Sequence, residues 1–386
     1  MMGSQGKVEG DRLSIPNTLN ASMLIKARYQ QSNGPDSPIP GTNTNGGQWQ
    51  VPEEFSLFFG GRIAENVGFF FEGNTATSTL LSGFKLPAAF NTAGLTWSVI
   101  PYLTDTLGAS YGFEQSSTGA VRNVRWAEHR KEISAQQYIG TDTAATGVAF
   151  VAQNDIGYIN FSRWAPALMA RPGAAQVLSS SYLRIAATPT VVVPTMGDWA
   201  MHIGAQFWGG SNYAPVPLST GVLATVDTRA FAIDFQGFGK LGGKEMGVYA
   251  TWARSPGGAA AQPNILNVGS TTAGVADPTQ YRVNDRKAWT IGFDYSVIPH
   301  TLHLGAAYRR AYTGGAANIP ATPAGPAVLP IVGVNPSDNA FTLTGVYNFA
   351  QNIELHLNQS FYSGSLYDAA QPYGNQLTTL MLEAAW

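Results

Sequence analysis

Residues 288–297 read AWTIGFDYSV. Trp289, Ile291, Phe293, Tyr295 and Val297 alternate with Ala288, Thr290, Gly292, Asp294 and Ser296. Successive side chains of a β-strand point to opposite faces, so this segment presents one large apolar face and one small or polar face. FTLTGVYNF (341–349) repeats the scheme, with Phe341, Leu343, Gly345, Tyr347 and Phe349 against Thr342, Thr344, Val346 and Asn348. In IELHLNQSF (353–361), Ile353, Leu355, Leu357 and Phe361 oppose Glu354, His356, Asn358 and Ser360. WAMHIGAQF (199–207) and RAFAIDFQG (229–237) place His202, Gln206, Asp234 and Gln236 on the polar side.

Reading outward from these, about sixteen such segments fill the 386 residues, near 19–30, 53–63, 66–74, 92–102, 105–115, 145–153, 156–163, 180–190, 197–208, 226–237, 244–254, 286–297, 300–311, 339–349, 352–362 and 376–386. The stretch LLSGFKLPAAF (80–90) before the fourth also reads as extended. Short connections at Ala64-Glu65, Leu103-Thr104, Asn154-Asp155, Val297 to His300 and Ala350-Gln351 alternate with long ones at 31–52, 75–91, 116–144, 164–179, 209–225, 255–285, 312–338 and 363–375. The connections 190–197 and 237–244 belong to the short series and carry Pro or Gly. Such alternation predicts an all-β fold: a closed antiparallel transmembrane β-barrel with short periplasmic turns and long extracellular loops. Closure also leaves no unpaired strand edge for lipid to meet.

Composition agrees. Only 12% of the chain is charged, against ~25% in ordinary soluble domains. A mean hydropathy of -0.05 shows that Ser, Thr, Asn, Gln and Gly replace the missing charge rather than apolar residues. The net charge of -2 gives nucleic acid no electrostatic handle. The absence of Cys excludes disulfides, thiolate catalysis and covalent c-type haem within the chain. No run approaches the ~18 apolar residues of a membrane helix. The start, MMGSQGKVEGDRLSIPN, lacks the apolar core of a secretory signal, so a signal or further N-terminal segment is expected in the precursor.

The expected organisation is an N-terminal periplasmic or lumenal segment (1–18) followed by the barrel (19–386), integral to a bacterial outer membrane. The final strand, NQLTTLMLEAAW, ends on Trp386 with Leu380, Leu382 and Ala384 on its face. A terminal aromatic there is the expected assembly signal. With outward faces assigned (Phe69, Phe71, Leu107, Tyr111 and Ile203 among them), the expected lumen wall contains Lys26, Arg28, Glu72, Glu114, Arg184, His202, Asp234, Asp294, His303, Arg309, Glu354, His356 and Glu383. A sixteen-stranded wall of mixed charge and small polar residues describes a hydrated channel. RNVRWAEHRKE (122–132) falls in the third long loop, 116–144, the loop that folds into the lumen of sixteen-stranded general porins. Arg122, Arg125, Glu128, Arg130 and Glu132 are therefore candidate constriction residues, since clustered charge selects ions by sign. The equally weighted alternative is a solvated external loop. His300 and His303 in HTLH straddle a turn and a strand and, with His202 and His356, read as solvated wall residues rather than a metal site. No local motif supports catalysis, so no enzymatic activity and no catalytic residue is expected.

The runs VPEEFSLFFGGRIAENVGFFFEG (51–73) and VRNVRWAEHRKEISAQQYIG (121–140) resemble the barrel portions of porin-like proteins fused behind a small c-type haem segment. That resemblance covers most of the chain and implies a Cys-x-x-Cys-His motif ahead of the barrel, in a segment or partner cytochrome outside these residues. Three readings follow. The first is a porin-like barrel passing small solutes or ions. The second is the sheath of a porin–cytochrome electron conduit, and the third a structural or adhesion barrel, for which the Pro-rich loops 255–285 and 312–338 would bind partners. Expected partners are outer-membrane lipid, small solutes or ions, further copies of the chain in a homo-oligomer and, on the second reading, a c-type cytochrome.

Overall fold

The computed structural model describes residues 5–7, 14–16, 20–34, 45–74, 81–105, 107–113, 134–166, 177–194, 196–215, 223–259, 261–268, 282–315, 335–367 and 374–386. Its strands close into one antiparallel barrel. In chain order the staves are β1 (Ala21–Ser32), β2 (Gln48–Ala64), β3 (Val67–Asn74), β4 (Leu81–Lys85 with Ala88–Thr92), β5 (Leu95–Thr104), β6 (Ala145–Gln153), β7 (Gly157–Ala165) and β8 (Ser180–Ala187 with Thr190–Val193). The ring continues through β9 (Gly197–Gly209), β10 (Ala230–Leu241), β11 (Lys244–Ser255), β12 (Arg286–Ile298), β13 (Leu302–Thr313), β14 (Asn339–Ala350), β15 (Ile353–Ser363) and β16 (Gln376–Ala385). Each stave pairs with its chain neighbours, and β16 pairs with β1 to close the ring of sixteen, in register Leu377↔Ser32 through Glu383↔Lys26. Met23 and Trp386 exchange backbone hydrogen bonds of 2.8 and 3.0 Å at the seam. Among the described residues, two small hairpins pair separately from the ring, Gln5–Lys7 with Ser14–Pro16 and Ser211–Pro215 with Leu223–Asp227.

The period-two pattern becomes inside and outside. On β12, Arg286, Ala288, Thr290 and Asp294 are buried while Lys287, Trp289, Ile291 and Phe293 are exposed. Ile203, Ile233, Trp252, Leu343 and Leu357 likewise face out. An apolar belt of this kind needs lipid, as the barrel fold does.

One part of the sequence reading is corrected. The fourth stave is the LLSGFKLPAAF region, interrupted at Pro87, and the fifth runs over Leu95–Thr104, joined by a turn at Ala93 and Gly94 (φ 53° and 75°). Residues 105 and 107–113, the described part of 105–115, form no stave. Ala109–Gly112 make a single 3-10 turn, entered at Gly108 with φ 63°. Tyr111 and Leu107, expected to face lipid, instead pack inside the barrel. The alternation of Leu107, Ala109, Tyr111 and Phe113 reflects a turn laid against the inner wall, with Tyr111 wholly buried.

Candidate functional site

The connection from β5 to β6 is the third long loop. Its described parts, 107–113 and 134–144, lie within the barrel. The first is fixed beside its own root. The Lys85 ammonium sits 3.9 Å from the Tyr111 ring centroid, and Tyr111 meets Tyr102 edge-on at 6.5 Å. Phe113 meets Tyr158 at 4.8 Å. A Cβ on Gly112 would come within 2.8 Å of both Ala149 and Tyr102, so the turn can lie flat only because residue 112 has no side chain.

The second part goes to the far wall. SAQQYIG (134–140) makes the short helix α1 (Ala135–Ile139): Ser134 caps its start through Oγ, accepting from Gln137 N at 3.1 Å, and Gly140 ends it at φ 90°. α1 packs against β11, β12 and β13. In the ring of sixteen, β11 and β12 lie five to seven staves from the loop's roots, β5 and β6, and β13 lies seven or eight. The loop thus crosses the lumen. Ala135 N donates to Thr251 Oγ1 of β11 at 3.2 Å, and Gln136 Nε2 donates to Gln206 Oε1 of β9 at 3.0 Å. The Tyr138 ring lies between the guanidiniums of Arg286 (4.3 Å) and Arg309 (4.5 Å).

Asp338 gathers this crossing. Its carboxylate accepts from Tyr138 (3.1 Å), Arg309 of β13 (2.8 Å) and Tyr367 of the last loop (3.0 Å). Burial, and then the charge of Asp338, push the Tyr367 phenol well above its ordinary range, so it stays a donor. The sixth long loop contributes α2 (Ile265–Val268), whose Ile265 and Leu266 join the same buried cluster as α1. Asn264 and Asn267 hold it by donating to the carbonyls of Arg229, Ser255, Pro256 and Asn284. From the sequence, 255–285 is expected only as a Pro-rich loop that would bind partners on the third reading. The Asn-x-x-Asn spacing around Ile265 and Leu266 is the signal that marks its inward anchor.

The residues named from the sequence as wall candidates have the following neighbours. Arg184 of β8 and Asp234 of β10 form a bidentate pair (2.9 and 2.6 Å) with both side chains fully buried. Gln206 also donates to Asp234 (2.7 Å) while accepting from Tyr182 (2.8 Å). His202 Nε2 lies 3.2 Å from Arg184 and 3.1 Å from the Tyr158 hydroxyl. Between β1 and β2, Lys26 pairs with Glu54, and Arg28 pairs with Glu53 (3.4 Å) and bonds to Gln50. Glu354 and His356 lie 3.3 Å apart, and Glu72 shares its neighbourhood with Lys85 and Asp105. Asp294, His303 and Glu383 are buried on the inner face. The wall cations Lys26, Arg28, Arg184 and Arg309 are therefore neutralised in named pairs, which the sequence pattern did not disclose. His300, in a turn at φ 60°, is exposed whereas His303 is buried. No group of three His, Asp or Glu among the described residues is placed to hold a metal. Glu114, Arg122, Arg125, Glu128, Arg130 and Glu132 lie outside the described residues.

No protein-family model and no curated protein sequence matches the chain. Solved structures do match its fold. The outer membrane channel DcaP of Acinetobacter baumannii aligns with a TM-score of 0.56 at 12% identity, covering 100% of each chain. OmpT of Vibrio cholerae, an outer membrane protein solved in a trimer form, aligns with a TM-score of 0.54 at 12% identity, covering 96% of this chain and 99% of that one. At this identity the likeness is one of fold alone: the chain is a closed sixteen-stranded β-barrel of the architecture these outer-membrane proteins share.

Proposed function

We propose that the barrel is a porin-like channel passing small solutes or ions, with the third loop as its constriction. The single observation carrying this reading is α1, anchored on β9, β11 and β13, the last of which lies across the lumen from the loop's roots. A loop tied at both ends to opposite walls must divide the opening, and residues 114–133 between its described parts hold Arg122, Arg125, Glu128, Arg130 and Glu132. Charge near a narrowed opening selects ions by sign. The paired wall supports the same reading, because neutralised cations leave sign selection to the loop. Trp386, hydrogen-bonded to Met23 at the seam, serves as the assembly signal. A homo-oligomer is part of the proposal, with the trimer form of OmpT as its support.

The alternative of a barrel sheathing a c-type cytochrome needs a haem segment to occupy the lumen. The crossing by α1 and the inward α2 put this chain's own residues there, which favours the solute channel. Planar-bilayer recording tests the proposal. The parent should give discrete conductance steps, and Arg122→Gln with Arg125→Gln should shift selectivity toward cations. A barrel that inserts but does not conduct would end the channel reading in favour of a structural one. Unchanged selectivity and conductance in the double variant would end the constriction.

A further inference from the structure

The outward face of β11–β13 carries a second charged feature, remote from the lumen. Arg254, Lys287 and Arg310 are exposed on the rim where the long loops emerge. Arg254 stands directly opposite Lys287 across the β11–β12 ladder, and Arg310 of β13 stands opposite Trp289. Neighbouring strands lie ~4.8 Å apart, so the three cations fall within about 10 Å of one another. Like charges placed directly opposite on adjacent strands are destabilising. Compensation within the chain is partial: Arg254 pairs with Asp285 at 2.6 Å. Lys287 has only the Tyr312 ring (5.2 Å), and Arg310 only the Tyr312 hydroxyl (3.4 Å), among the described residues. The three side chains border a hollow of about 540 Å³ on the outer wall, floored by Trp252 and Trp289.

The position decides the ligand's chemistry. Trp252 and Trp289 form a cross-strand pair at the level where an aromatic girdle meets headgroups, and Ile291 and Tyr308 continue the wall toward the membrane centre. Cations immediately outside such a girdle face the headgroups of the outer leaflet. Of the other exposed basic residues of the described barrel, Arg62 and Lys240 lie at the short-turn rim and Arg229 on this same side. We propose that Arg254, Lys287 and Arg310 form a clasp for a lipid headgroup bearing phosphate monoesters, its acyl chains lying along Trp289, Ile291 and Tyr308. Arginine supplies planar forked donors and lysine a point charge, a combination suited to phosphate oxygens. The hollow lies on the lipid-facing wall, so the phosphate arrives attached to lipid rather than from solution.

Native mass spectrometry of the detergent-solubilised full chain tests this, with bisphosphorylated lipid A, its dephosphorylated form and phosphatidylethanolamine as probes. The parent should retain bisphosphorylated lipid A preferentially. R254Q/K287Q/R310Q should weaken that retention by roughly 100-fold, the worth of three basic residues at an anionic surface. R62Q/K240Q, at the short-turn rim, should leave it unchanged. Heat-modifiable gel mobility would show that each variant is folded. Equal retention of the phosphorylated and dephosphorylated forms by the parent overturns the proposal without recourse to any variant. Retention by the triple variant equal to the parent's also overturns it, as does displacement of the lipid by millimolar inorganic phosphate, which would make this a free-phosphate site.

Discussion

Ile291 and Asp234 occupy the two faces of one wall under different rules. Ile291 points outward and is 55% exposed in the bare protein, with lipid to cover it. Its environment has no specific partner, and any apolar side chain of similar size would serve. Asp234 points inward and is fully buried between Arg184 and Gln206. The outer face is specified by polarity alone, whereas the inner face is specified pair by pair. Alternation in the sequence discloses which residue belongs to which face. It does not disclose which inward residues will meet, because partners sit on different staves and on loops that return from across the barrel.

The comparison breaks most sharply at the buried pair. Asp234→Ala leaves Arg184 uncompensated in a dry site and should cost ~3–5 kcal/mol in a denaturant titration of the folded barrel. Ile291→Arg places a charge in lipid with no partner, and the expected loss in the same titration is ~2–4 kcal/mol, falling as the site of substitution moves toward either rim. If Asp234→Ala were the milder of the two, the inner pairs would be solvated and the contrast between the faces would fail. Arg254→Ala sharpens the contrast from the small end. Its pair with Asp285 is half exposed, so the change in stability should be at most ~1 kcal/mol. A larger loss would mean that ion pairs on the outer rim are as structural as those in the lumen.

A second contrast, between β12 and the β4–β5 hairpin, shows what was legible in the sequence. AWTIGFDYSV alternates without interruption, and the structure follows it residue by residue. The β4–β5 turn is built on Ala93 and Gly94, both at positive φ. Asn-Gly or Asp-Gly usually mark such turns, and an Ala at the first position hides the signal. The next segment, 105–115, keeps a period of two while Gly108 and Gly112 allow a tight turn against the inner wall. Local pattern therefore assigned it to the wrong element. Burial of one strand face is a local property, so alternation can nominate wall residues. The anchors of α1 were not legible. Thr251, Gln206, Arg286, Arg309 and Asp338 are separated from Ala135–Tyr138 by long stretches of chain, and only closure of the ring brings them together.

The crossing of the lumen by the third loop is the central claim, and the absence of native Cys makes a direct measurement clean. Ala135→Cys with Thr251→Cys, at positions joined by a 3.2 Å hydrogen bond, should oxidise to an intramolecular disulfide in outer-membrane preparations. The predicted result is a near-complete, reductant-sensitive mobility shift for the double variant and none for either single variant. Free thiols in the double variant after oxidation, in a barrel that is otherwise folded, would contradict a loop anchored on the far wall.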